Sequence, residues 1–310
     1  MNKFIIKRII KSLPIFLGVI TMSFLFVYIA PGDPALNMVG QNYKETTLEE
    51  IREELNLNKP AIEQYIIYIF KTARLDFGKS YVTGRKISND LKQKIYYTFI
   101  LAITAMMVAI FFGVSLGIIA AINYKKILDR IIVLISILGI SMPVFSVSLI
   151  LIFIFGITFK VLPPTGYGHW KFLILPATAL GLRSLSLFIR ITRDSFIEIL
   201  GEDYMRTAKA KGLPYSQIIL KHGMKNLLIP VITIIGIDFS SYLTGAVLTE
   251  SIFGWPGIGR YVVDSILKRD FPAIQGSVLF MAFVFIGINL IIDILYGTVN
   301  PQIRESLIEK

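Results

Sequence analysis

The sequence predicts an all-α polytopic membrane protein that crosses its bilayer six times. Three observations lead there. Apolar residues make up 54% of the 310 positions and charged residues only 17%, more apolar surface than a soluble domain can bury. The apolar residues gather into runs long enough to span about 30 Å of hydrocarbon. The polar breaks between those runs carry most of the formal charge of +11, and a basic excess at membrane flanks marks the cytoplasmic side.

The elements follow in order. Met1–Lys11 carries Lys3, Lys7, Arg8 and Lys11 with no acid, and Ser12–Ala30 follows without a formal charge. A cleaved signal peptide is the competing reading. The apolar run is long for one, and Pro31 directly after Ala30 disfavours cleavage there. The prediction is an uncleaved first span with a cytoplasmic N-terminus. Residues 31–94 hold ten Lys or Arg and nine Asp or Glu, and read as a nearly neutral extracytoplasmic segment. Leu48–Leu55 and Ile62–Phe70 have the spacing of short amphipathic helices.

Tyr96–Asn123 is the second span. Its Gly113 and Gly117 form a Gly-x-x-x-Gly pair that permits close approach of another helix. Lys125, Lys126 and Arg130 mark a short cytoplasmic turn. Ile131–Phe159 is the third span, kinked at Pro143, which removes a backbone hydrogen bond. Leu162–Trp170 is a turn-rich outer loop, and Phe172–Ile189 is the fourth span. Leu227–Thr249 and Ser277–Val299 are the fifth and sixth, on either side of an outer segment Glu250–Gly276. Both termini are then cytoplasmic, and residues 1–310 form one transmembrane domain without a linker or an internal repeat.

The most informative polar stretch is the loop at 190–226, running on to Pro230. It carries seven basic residues: Arg190, Arg193, Arg206, Lys209, Lys211, Lys221 and Lys225. Phe196, Ile199, Leu200, Tyr204 and Ala208 recur at helical spacing, Gly212 breaks the pattern, and Pro214 suits the start of a second helix. The loop therefore reads as helix, glycine turn, helix. Amphipathicity alone does not separate a topology marker or membrane-surface element from a partner-docking element.

Several chemistries are excluded or weakened. The chain has no cysteine, which rules out disulfides and thiolate metal sites. Its two histidines, His169 and His222, are far apart. Basic residues without interleaved exposed aromatics argue against nucleic acid. The stretch Ala73–Ser80, ARLDFGKS, fits a loose phosphate-loop pattern but lacks the Gly-rich turn between strand and helix that such a loop needs. No paired carboxylates or metal cluster in a span suggest an intramembrane enzyme.

Charges inside spans face protein or water, because a charge at mid-membrane costs about 2.5–3.5 kcal/mol. Arg183, Asp238 and Asp293, with the polar Asn289, are candidates for a substrate path or for structural pairs. For Asp293 the structural reading is preferred, since basic partners near the cytoplasmic end are plentiful.

The loop residues Arg206, Thr207, Ala208, Lys209, Ala210, Lys211, Gly212 and Leu213 resemble the coupling loop of binding-protein-dependent ABC transporter permeases. The similarity is greatest to the dipeptide/oligopeptide/nickel branch, whose later basic-His-x-x-basic-Asn is matched by Lys221, His222, Lys225 and Asn226. Pro31–Pro34, Leu75–Ser80, Ser141–Pro143, Gly254–Arg260, Arg269–Pro272 and Asn300–Arg304 extend the resemblance over nearly the whole chain. It implies an importer permease in the cell (cytoplasmic or inner) membrane, passing dipeptides or oligopeptides, with nickel or a chelated metal as the alternative substrate. It implies four kinds of contact: a second homologous permease subunit, two cytoplasmic ATPase subunits seated on the loop, an extracytoplasmic substrate-binding protein, and the lipid bilayer. No cofactor is expected in this chain, ATP being bound by the partner subunits. Trp255, Pro256, Gly257 and Arg260 are the expected outer gate or binding-protein face. The small side chain of Ala208 is expected to admit a partner's groove. A secondary transporter is the competing class, though the inverted repeats common there are not visible.

Overall fold

The computed structural model describes residues 2–29, 35, 49, 52–53, 56–212, 214, 217–224, 227, 231–232, 234–235, 238–239, 241–242 and 246–299. Its named elements are α1 Asn2–Ile29, α2 Ala61–Ala73, α3 Ile87–Ile122, α4 Ile127–Ser141, α5 Val144–Leu151 continuing as a π-helical turn Ile152–Thr158, α6 Lys171–Gly201, α7 Asp203–Ala210, a second π turn Ile218–Gly223, α8 Val247–Phe253, α9 Ile258–Leu267 and α10 Phe271–Val299. The chain packs as two units, Met1–Tyr96 with Gly257–Lys310, and Tyr97–Pro256. The chain passes from the first to the second within the continuous helix α3, and back again in the turn between α8 and α9.

Arg8–Ile29, Ile87–Ile122, Lys171–Gly201 and Phe271–Ile292 are each long and apolar enough to cross a membrane. Ile127–Ser141 and Val144–Thr158 meet the same test only as a pair, bent by 109°. Pro143 thus does more than kink a span. Met142 is extended at ψ 128, the conformation a following proline imposes, and the helix stops and restarts. The expected fifth span, Leu227–Thr249, is described only in part, and the proline-rich and C-terminal motifs at 31–34 and 300–304 lie wholly outside the described residues. The same holds for most of Leu48–Leu55.

In the first unit, α1 and α10 run antiparallel. Phe16 meets Phe283 at 5.1 Å between ring centroids, and Gln275 Nε2 donates to Ser23 O at 3.0 Å. The core gathers Ile87, Leu91, Ile258 and Ala273 with Phe77 and Phe280 around them. Asp270 ties the surrounding loops together. Ser80 Oγ donates to its carboxylate, the Tyr81 N–H donates to Oδ1 at 3.1 Å, and the Ala273 N–H donates to the same oxygen at 3.4 Å. The hydroxyl of the loose phosphate-loop pattern is therefore spent on an acid, where a phosphate loop would present it to an anion.

In the second unit, α3 and α6 run parallel and nearly touch. A Cβ added to Gly181 would sit 2.7 Å from Ala105 O. At Gly113 it would sit 2.6 Å from Phe188 Cβ, and at Gly117 2.6 Å from Thr192 Cβ and 2.8 Å from Ile189 O. The Gly-x-x-x-Gly pair of the second span is thus the seam on which the fourth packs. Helix α4 joins the same stack, its Gly139 lying against Ser186.

Candidate functional site

The parallel pair α3 and α6 gives the second unit two ends, separated along α3 by about 36 Å from Thr98 to Ile122. The basic loop lies at one end and the Trp255 motif at the other.

The loop begins later than its sequence suggests. Helix α6 continues without interruption through Arg190, Arg193 and Phe196 to Gly201, because nothing in 190–200 breaks a helix. The chain turns at Glu202, which is extended at ψ 149, and restarts as α7. Helix α7 is amphipathic. Met205 and Ala208 are 3% and 4% exposed and pack on Ile218, Ile199 and Leu200. The expectation that Ala208 opens towards a partner's groove is therefore corrected: its small side chain lets α7 close onto the loop's own core. The surface of α7 carries Arg206, Thr207 and Ala210, followed by the exposed Lys211 and Gly212. Arg206 reaches Asp203 at 3.6 Å, and both side chains stay largely in solvent. Thr207 Oγ1 donates back to Asp203 O at 2.9 Å. Lys209 belongs to α7 and His222 to the Ile218–Gly223 turn; Leu213 lies outside the described residues.

Gly212 makes the reversal. Its φ of +74° suits a residue without a Cβ, and a Cβ there would meet open space. The returning chain then packs Gly223 on the Phe196 ring, 2.7 Å from where a Cβ would stand.

The base of the loop is clamped to the preceding cytoplasmic turn. Arg193 Nε donates to Asp129 Oδ1 at 2.6 Å and its second terminal nitrogen donates to Oδ2 at 2.9 Å, a bidentate pair. Asp129 also accepts the Lys125 N–H at 2.9 Å, which holds Lys125 in its left-handed conformation at φ +66°. The Arg193 guanidinium lies 5.4 Å from the Tyr124 ring centre. Asp129 is 3% exposed. Its position in a short basic turn is the only sequence signal for this pair, whose partners stand 64 residues apart.

At the opposite end, α8 closes on Gly254 at φ +66°, with the Trp255 N–H donating to Glu250 O at 2.8 Å. That turn carries Trp255 inward. Its indole Nε1 donates to Tyr97 O at 2.9 Å, and its ring stands edge-on to Tyr97. Trp255 is 5% exposed, a buried plug rather than a residue open to a soluble partner. Pro256 is half-buried, and Gly257 is buried at the start of α9. Arg260 is 41% exposed and faces Asp264 at 3.8 Å. Beneath Trp255, Thr98 Oγ1 donates to Glu250 Oε1 at 2.7 Å, with both residues fully buried. Sequence reasoning missed this carboxylate, which it treated only as the first residue of the outer segment Glu250–Gly276.

Among the described residues the remaining span charges are not gathered into one site. Arg183 is exposed on α6, on the same stripe as the exposed Arg190, Asp194 and Glu198. Asp238 is half-buried, and its Oδ2 has no hydrogen-bond partner among the described residues. Asn289 is on α10 and donates to Phe285 O at 2.9 Å. Asp293 belongs to α10, and its side chain lies outside what is described. Among the described residues no cluster of His, Asp or Glu could hold a metal ion.

Comparison with known proteins extends the picture. Residues 113–305 match the family described as "Binding-protein-dependent transport system inner membrane component", and residues 1–102 match its N-terminal counterpart. The chain is 40% identical over 304 residues to the glutathione transport system permease protein GsiC of Escherichia coli K12, covering 98% of this chain and 99% of that one. The protein of the same name from Salmonella choleraesuis is equally similar, at 40% over 304 residues. Among solved structures, the inward-facing MetNI methionine ABC transporter shares the fold at a TM-score of 0.52 and 15% identity, over 70% of this chain and 95% of that one.

Proposed function

The chain belongs to the binding-protein-dependent transport system inner membrane components, and we propose that it is the permease subunit of an ABC importer for peptide-class substrates. Membership makes it a transport permease and not an enzyme. In our reading it lies in the cell membrane with both termini cytoplasmic and with six spans, the fifth over Leu227–Thr249. It works beside a second homologous permease, two cytoplasmic ATPase subunits that bind the ATP, and an extracytoplasmic binding protein that selects the substrate. The ATPase docks on the exposed face of α7 and its turn, Arg206, Thr207, Ala210 and Lys211. Asp129 and Arg193 pass its motion to α4 and α6. The binding protein meets residues 31–94 and the region after Trp255, with Arg260 at the rim.

One observation carries the substrate class: the exposed arginines of α6. Arg183 stands about 18 Å along the helix from Lys171, too deep to face lipid without a cost of about 2.5–3.5 kcal/mol. It faces water or a neighbouring subunit. Arg190 follows two turns later on the same face. Asp194 and Glu198 stand on the same stripe nearer its cytoplasmic end, so the deeper stretch carries the two guanidinium groups alone, which favours substrates with carboxylates and repels a free divalent cation. That supports peptides over nickel, and glutathione, which the similar permeases are named for, is a peptide with two carboxylates. The matched family is described as a component of binding-protein-dependent transport systems, which tells against a secondary transporter.

The test is uptake in proteoliposomes holding the complete complex, with labelled dipeptides, glutathione and nickel compared side by side. Peptide uptake with no nickel uptake is the expected result, and Arg183→Glu is expected to lower uptake of acidic peptides several-fold while the complex still assembles. Nickel uptake without peptide uptake overturns the reading. Loss of the assembled complex in Arg183→Glu reassigns that residue to subunit packing.

A further inference from the structure

The segment after α1 reads in sequence as extracytoplasmic, yet its best-formed helix is placed beside the outer part of a span. We infer that α2, Ala61–Ala73, is embedded in the bilayer interface, with lipid covering its exposed apolar stripe.

Two rulers fix its depth. On α1, Thr21 Oγ1 and the Tyr65 hydroxyl share a hydrogen bond of 2.6 Å, Ser23 Oγ and the Tyr68 hydroxyl one of 3.2 Å, and Phe24 stands between the two tyrosine rings at 5.3 and 5.7 Å. These α1 residues lie five to eight positions before Ile29, about 8–12 Å short of the helix end, and inside its charge-free apolar run. The antiparallel α10 gives the second ruler. Ser23 is level with Gln275, about 6 Å into a helix that starts at Phe271 directly after the charged Arg269 and Asp270. Both place α2 below the outer limit of the apolar band at this end of the spans. The depth matches that of helices lying in the headgroup and upper acyl region, about 5–10 Å.

The helix is divided to suit that position. Tyr65, Tyr68 and Thr72 form the arc turned to α1. The neighbouring arc is an apolar stripe of Ile62, Ile66 and Phe70, exposed by 75%, 47% and 63%, with Glu63 at its edge. The third arc carries Gln64 and Lys71. At the same level α1 presents Met22 and Phe26 outward, 70% and 65% exposed. An apolar stripe at that depth, flanked by a span with its own exposed apolar side chains, fits acyl chains better than the surface of a water-soluble partner. Charge agrees: Glu63 is paired with Lys59 at 2.7 Å, which leaves Lys71 and Arg74 for anionic headgroups.

The chain has no cysteine, so single-cysteine variants accept one label each. Ile66→Cys, Phe70→Cys and Lys71→Cys would carry an environment-sensitive fluorophore in the full-length chain, co-purified with whatever subunits accompany it and placed in nanodiscs containing anionic lipid. Quenching by nitroxide-labelled lipid and by a water-soluble paramagnetic chelate is then compared. At positions 66 and 70 lipid quenching is expected to exceed aqueous quenching several-fold, with the reverse at position 71. Strong aqueous quenching at 66 and 70 overturns the inference by placing the stripe in water. Protection from both quenchers overturns it too, by placing the stripe under a protein subunit.

Discussion

The two ends of the Tyr97–Pro256 unit are built in opposite ways. At one end Trp255, Thr98 and Glu250 are buried and their polar atoms are satisfied inside the protein. At the other, α7 and the Gly212 turn rest on a small cluster of five apolar side chains, and their charged groups stand in solvent. Both ends carry the motifs that most resemble the family. The contrast separates two reasons for a motif. The Trp255 motif specifies a buried, internally bonded cap, whereas the loop motif specifies a shaped, exposed surface on a buried, ion-paired base. That base is the Asp129–Arg193 clamp.

The contrast depends on the seam that joins the ends, so the largest effect is expected at Gly117. Gly117→Val drives a branched side chain into Thr192 and the Ile189 carbonyl, and such overpacking against backbone costs at least about 1–3 kcal/mol. Both ends should be lost together, read as failure to recover folded protein from the membrane. Gly201→Ala, where a Cβ meets nothing within 4 Å, is the matched control and should be recovered normally.

Next comes the clamp. Arg193→Ala leaves Asp129 buried without its guanidinium, a loss of about 3–5 kcal/mol typical of a broken buried pair. The loop end should melt first, seen as faster proteolysis within 202–224 while the fluorescence of Trp255, read in a Trp170→Phe background, stays unchanged. The double variant Arg193→Gln with Asp129→Asn should recover part of the loss. Simultaneous loosening of both ends would mean that they are not independent.

The smallest of the three effects is at the cap. Trp255→Phe keeps an aromatic ring but removes the bond to Tyr97 O, worth about 0.5–1.5 kcal/mol. Thermal stability should fall slightly, with the loop's protease pattern unchanged. A change in the loop pattern would again erase the distinction.

Much of this was legible in the sequence and some was not, for physical reasons. The four straight spans announce themselves because each contains an apolar run of about 20 residues, although α3 and α6 extend beyond that run into charged residues. The reversal at Gly212 was legible because few other residues hold that backbone. The 109° break at Pro143 was legible in place but not in size, since the angle is fixed by Val147 packing on Leu175 and Ala179, a tertiary contact. The end of α6 was misplaced because the amphipathic period of 196–200 looks the same in a separate loop helix and in a continuing span. Ala208 was assigned outward because composition gives no direction to a small side chain, and only the contact with Ile218 shows that it faces inward. Asp129 with Arg193, and Thr98 with Glu250, pair across 64 and 152 positions, and no local pattern carries that information.

The central claim is that the exposed face of α7 couples an ATPase to the spans. It is tested most directly by substrate-stimulated ATP hydrolysis and uptake in a complex reconstituted with its ATPases and binding protein, carrying Arg206→Glu and Lys211→Glu together. Both side chains lie in solvent, so folding and membrane insertion should be untouched. The account predicts that the ATPase subunits no longer co-purify and that uptake falls to background. Normal coupled uptake with both charges reversed would contradict it.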